Sequence, residues 1–67
     1  MRLYRFLTGP DDSSFCHKVS KALNEGWDLY GSPTLSPDAA SGAMVCGQAV
    51  VKQARGDYGP ALKLSEQ

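Results

Sequence analysis

The chain of 67 residues lacks most of the features that tie a small protein to a specialised class. Its two cysteines, Cys16 and Cys46, are too few for the disulfide-dense frameworks of small secreted domains. No stretch approaches the ~18 consecutive apolar residues of a membrane-spanning helix, and residues 1–6 lack the apolar region of a signal peptide. Neither sign of charge is in excess: seven Lys and Arg balance seven Asp and Glu. Phosphate-backbone binders gain affinity from a positive field that releases counterions, so the charge balance argues against nucleic acid as a partner. These absences lead us to expect a cytoplasmic protein with no membrane association and no nucleic-acid partner.

A chain of this length folds as one domain with a small core, worth only ~3–5 kcal/mol when unaided. A partner subunit, a metal or a crosslink is expected to add to it. Zero net charge removes the self-repulsion that keeps small proteins apart, which favours association of copies.

What is present follows a strand, helix, strand, strand order. In residues 2–7, Tyr4 and Phe6 alternate with Leu3, Arg5 and Leu7, the period of a strand that is apolar on both faces. Helix-start signals follow. Thr8 is a candidate cap, Pro10 suits a first turn, and Asp11 and Asp12 complement the positive end of a helix dipole, so the helix is expected to start near residue 10 or 11. Phe15, Val19, Ala22 and Leu23 then form one apolar stripe, with Cys16 beside it and polar residues on the rest of the wheel. Gly26 fits the left-handed position that closes a helix and would fold Trp27 back onto Ala22 and Leu23.

Trp27, Leu29 and Gly31 alternate with Asp28, Tyr30 and Ser32, predicting a second strand from Trp27 that weakens before Pro33. Residues 36–42 are rich in turn formers and read as a long hairpin loop. Residues 43–52 carry the most continuous apolar run, suited to a central strand. Residues 53–67 are broken by glycine and proline and are expected to form a flexible tail outside a single domain of residues 1–52. The predicted fold is α+β, β-α-β-β: one helix on a three-stranded sheet in the order 1-3-2, with a right-handed crossover.

Trp27 and Leu29 are expected to meet the helix together with Tyr4 and Phe6. That choice assigns Leu3, Arg5, Leu7, Tyr30 and Gln48 to the opposite, open face as the candidate interaction surface. Phe15, Val19, Leu23, Gly26, Trp27 and Leu29 are then the structural residues. Gly31 and Gly47, inside strands, are expected to mark a bulge or close packing against a bulky neighbour such as Trp27.

Several segments together resemble a known family: Leu3-Tyr4-Arg5-Phe6-Leu7-Thr8-Gly9-Pro10-Asp11-Asp12, Phe15-Cys16, Ala22-Leu23-Asn24-Glu25-Gly26-Trp27-Asp28-Leu29-Tyr30-Gly31-Ser32-Pro33-Thr34 and Cys46-Gly47-Gln48-Ala49-Val50-Val51-Lys52. This is the family of short bacterial proteins called domain of unknown function 1737, and the likeness covers residues 1 to about 52. It implies no activity and transfers no catalytic or binding residue.

Residue chemistry points away from catalysis. Cys16 and His17 are adjacent, and neighbours on a helix diverge by about 100°, so they cannot form a nucleophile–base dyad; Cys16 is expected to be buried and His17 solvated. Cys16, His17 and Cys46 are one ligand short of a structural zinc site and lack paired spacing, and a disulfide between the two cysteines is disfavoured in a reducing compartment. Arg55-Gly56-Asp57 is a polar turn. The helix start at Thr8-Gly9-Pro10 is a poor phosphate site because Asp11 and Asp12 already occupy its field. The sequence therefore predicts a non-enzymatic, cofactor-free and metal-free interaction module that forms a homodimer, or docks on another protein, through its open sheet face or edge. The alternatives are a small-molecule- or redox-sensing domain using Cys46 or Arg5, Tyr30 and Gln48, and third, a single-stranded nucleic-acid binder.

Overall fold

A computed structural model describes residues 1–67, the side chain of Ser65 excepted. The described residues form strand β1 (Arg2–Pro10), helix α1 (Ser13–Asn24), strands β2 (Asp28–Pro37) and β3 (Met44–Gln53), and a short 3₁₀ turn, Leu64–Glu66. The sheet is antiparallel throughout, in the order β1-β3-β2, with β3 in the centre. The α+β topology and strand order are those expected from the apolar run of residues 43–52.

The chain enters and leaves α1 by different devices. β1 runs on to Pro10, which pairs with Val45, so Thr8 lies inside a ladder and does not cap the helix. Asp12 caps instead, accepting from the Ser14 amide at 2.8 Å and also from the Ser14 hydroxyl. These two bonds hold the Asp12 carboxyl below its ordinary pKa. At the other end Gly26 takes φ +96°. There the Trp27 amide donates to the Ala22 carbonyl (3.0 Å) and the Gly26 amide to that of Leu23 (3.2 Å). This paired 6→1 and 5→2 arrangement is a Schellman closure, and its usual apolar contact is between Trp27 and Ala22, both buried.

The core contains Leu3, Leu7, Ala22, Trp27 and Val50, with Met1, Phe15, Val19, Ala54, Leu62 and Leu64 packed around it. Residues directly opposite one another in a sheet share a face. The pairs Leu3–Lys52, Arg5–Val50 and Leu7–Gln48 therefore lie under α1, and Tyr4–Val51, Phe6–Ala49 and Tyr30–Ala49 lie on the far side. This corrects the expected phase of β1. Leu3 and Leu7 are buried, whereas Tyr4 and Phe6 are half exposed. Both sets of alternate residues in β1 are apolar, so periodicity alone gives no phase. The compact leucines fit the narrow layer below α1, where Trp27 already supplies the bulk.

Beyond β3, Ala54, Leu62 and Leu64 reach the core, whereas residues 55–58 are exposed. Met1 and Ala54 exchange two backbone hydrogen bonds that extend the β1–β3 ladder by one pair, and Leu62 and Leu64 pack on the buried cluster.

Candidate interaction surface

The face of the sheet away from α1 is open. β1 contributes Arg2, Tyr4, Phe6 and Thr8, β3 contributes Val51, Ala49, Gly47 and Val45, and β2 contributes Asp28, Tyr30, Thr34 and Ser36. Tyr4, Phe6 and Tyr30 are 54%, 50% and 56% exposed, a degree unusual for three aromatic side chains on one surface. Its only formally charged side chains are Arg2 and Asp28, near one end, and the Arg2 guanidinium lies 5.8 Å from the centre of the Tyr30 ring. A shallow depression of about 290 Å³, lined by Arg2, Leu3, Tyr4, Tyr30 and Val51, opens beside that pair.

Gly47 lets the Phe6 ring approach the central strand closely. A Cβ built on it would come within 2.5 Å of the Phe6 ring and 2.8 Å of the Thr34 hydroxyl. The ring therefore lies across the bare backbone of the central strand. Close packing at Gly47 is as expected, but the bulky neighbour is Phe6 and not Trp27.

Of the residues assigned from sequence to this face, Tyr30 is on it. Leu3, Arg5, Leu7 and Gln48 are not: they follow the corrected phase of β1 and β3 to the helix side. The role of Gln48 is structural. Pairing of β2 with β3 jumps between Tyr30 and Thr34, so Gly31, with φ +71°, Ser32 and Pro33 bulge out of the ladder. The buried Gln48 amide nitrogen fills the gap, donating to the carbonyls of Ala49 (2.8 Å), Tyr30 (3.3 Å) and Gly31 (3.4 Å). The bulge also lets β2 continue through Pro33 to Pro37, beyond its expected end. Arg5 packs over the Trp27 ring at 5.4 Å, and the Lys52 ammonium approaches the same ring at 5.8 Å. Lys52 also donates to the Glu25 carbonyl at the C-terminal end of α1 (2.8 Å) and to the main-chain oxygen of Gln67.

Among the structural residues, Trp27 is buried, Phe15 and Val19 are partly buried, and Gly26 has the left-handed backbone expected of it. Leu23 and Leu29 are more exposed than expected, at 42% and 55%. α1 lies closer to β1 than to β2, which leaves the far side of the covered layer thin.

The cysteines are free thiols. Cys16 is exposed, contrary to its expected burial, because its position falls beside the apolar stripe and not within it. Cys46 Sγ lies 3.7 Å from an Asp11 carboxylate oxygen. Desolvation first, and then the negative field of Asp11, push the Cys46 thiol up, away from the reactive thiolate. Among the described residues no group of three or more His, Cys, Asp or Glu side chains converges on a metal-sized site, and no helix is long and apolar enough to cross a membrane.

The architecture defines a two-layer α+β domain whose second sheet face is uncovered. The chain belongs to the family described as domain of unknown function (DUF1737), which matches residues 1–53. The match spans all three strands and α1 and ends with β3. No curated protein and no solved structure matches the chain.

Proposed function

We propose that the protein is a non-enzymatic interaction module that forms a two-fold homodimer through its open sheet face. The observation that carries this reading is the group of exposed aromatics Tyr4 and Phe6 on β1 and Tyr30 on β2, on one sheet face that is almost free of charge. Neither edge competes well. The β2 edge is broken by the bulge at Gly31 and by Pro33 and Pro37. Apposing two β1 edges would bring together Arg5 and the neighbouring Lys18 and Lys21 of both copies, a like-charge arrangement.

Charge complementarity supports a second copy of this chain as the occupant. A two-fold axis parallel to β3 lays β1 of one copy over β2 of the other without reversing the ends. Arg2 then comes near the partner's Asp28 end, and Phe6 lies over Tyr30, since both pair with Ala49. Three strands at about 4.8 Å spacing and about 30 Å length give a face of roughly 400 Å² per copy, about half that of a standard interface. The dimer is therefore concentration-dependent and not obligate. The same reading places the protein in the cytoplasm, where Cys16 and Cys46 stay reduced.

Sedimentation velocity over a range of concentrations tests the reading. Wild type is expected to shift from monomer to dimer as concentration rises, and Tyr30→Glu to remain monomeric with unchanged far-UV circular dichroism. A strict monomer at the highest concentration, or a dimer unaffected by Tyr30→Glu, overturns it. The raised Cys46 thiol weighs against the redox-sensing alternative, and the placement of Tyr30 on the sheet side opposite Arg5 and Gln48 weighs against a ligand face that combines the three.

A further inference from the structure

A second surface lies away from the open face. A cleft of about 720 Å³ runs between α1 and β1. Four successive β1 residues, Arg5, Phe6, Leu7 and Thr8, line it. Alternate strand residues point to opposite faces, so a cleft touched by four in a row looks onto the strand's edge. In the order β1-β3-β2 that edge has no neighbouring strand, although the C-terminal turn Leu64–Glu66 packs against β1 and Leu64 also lines the cleft. The opposite wall is one stripe of α1, on which His17, Lys18 and Lys21 are exposed; Glu25 is the one carboxylate among the lining residues.

From this geometry we infer that the α1–β1 cleft takes an extended acidic peptide segment, which adds to β1 as a fourth strand and directs its carboxylates at Lys18 and Lys21. Two observations select this occupant. The floor is a strand edge with no neighbouring strand, so its main-chain groups away from Leu64 can pair with an extended chain. The wall is cationic in a chain whose total charge is zero, so the cleft concentrates positive field and favours carboxylates. Lys18 sharpens the selection, because its ammonium donates to the Thr8 carbonyl at 2.7 Å and so guards part of the edge. A neutral strand pairing there displaces the ammonium without replacing its acceptor, whereas an acidic strand offers it a carboxylate.

The probe is a decapeptide alternating Glu with Val, with its Lys/Val counterpart as control, added to ¹⁵N-labelled full-length protein. The Glu peptide is expected to shift the amides of residues 5–8 and of the cleft side of α1, and its affinity to fall with added salt. The double variant Lys18→Glu, Lys21→Glu, both at exposed positions, is expected to weaken binding by about tenfold or more while the sheet resonances of wild type persist. No binding, equal binding of the Lys peptide, or shifts confined to Tyr4, Phe6 and Tyr30 on the open face overturn the inference. Inorganic phosphate or single-stranded oligonucleotide producing the same shifts at comparable concentration also overturns it, by making the cleft a general anion site.

Discussion

The two faces of the sheet are built from similar amounts of apolar side chain and end in opposite situations. Under α1, Leu3, Leu7 and Val50 are buried to a few per cent exposure; on the far side Tyr4, Phe6 and Tyr30 stay half exposed. Hydrophobicity does not choose between the faces. The choice is made by the Gly26 turn, which drops Trp27 onto the helix side and closes α1 over it. With that volume filled by an indole, the remaining positions accept leucine and valine, and the larger rings are directed to the other face. One face is thus completed within the chain, and the other keeps its aromatic side chains half exposed.

The contrast can be broken from the covered side first. Trp27→Ala is expected to cost ~3–5 kcal/mol, the usual range for truncating a buried tryptophan, read from urea denaturation. In a domain of this size that approaches the whole stability; an unchanged midpoint would remove the indole from the centre of the account. Next, Gly47→Ala tests the close approach of Phe6 to the central strand on the open face. The new methyl meets the Phe6 ring and should cost about 1–3 kcal/mol, with part of the loss recovered in the double variant Phe6→Ala, Gly47→Ala. Additive losses would mean that the ring does not lie across the glycine.

Gln48→Ala is expected to cost about 1–2 kcal/mol, since it leaves the part-buried bulge carbonyls of Tyr30 and Gly31 without this donor. Amide exchange in β2 near Gly31 should accelerate in the same variant; uniform exchange changes would argue against a local role. The smallest effect belongs to Asp12. The folded state binds the Asp12 proton less readily than the unfolded chain, because Ser14 donates to the carboxylate. Its contribution is complete above the ordinary aspartate range and disappears as pH falls through and below that range. The stability gap between wild type and Asp12→Ala should therefore be present at neutral pH and shrink in acid; a gap that grows in acid contradicts the cap.

Much of the fold was legible in the residues. Gly26 followed by Trp27 announced the helix closure, the apolar run around Val50 announced the central strand, and Gly31 the bulge. The phase of β1 was not legible, because Leu3 and Leu7 on one side and Tyr4 and Phe6 on the other are equally apolar, and aromatic bulk suggested burial. The decisive fact, that Trp27 already occupies the space under α1, is tertiary. The same slip carried Arg5 and Gln48 to the wrong side, since a strand read one residue out of phase exchanges its faces completely. The helix start was misread for a related reason: Thr8, Pro10 and Asp11 look like cap signals, but nothing local records that Val45 pairs with Pro10 and extends β1 past them. The α1–β1 cleft was also missed. Its signal, basic residues at His17, Lys18 and Lys21, gains meaning only once strand order leaves β1 at an edge.

The central claim is that the aromatic face is completed by a second copy. Isotope-filtered NOE spectroscopy on a mixture of labelled and unlabelled protein tests it most directly. The account predicts intermolecular contacts from the rings of Tyr4, Phe6 and Tyr30, with Phe6 meeting the other copy's Tyr30. Intermolecular contacts confined to the helix or the strand edges, or none at concentrations where the protein sediments as a dimer, would contradict it.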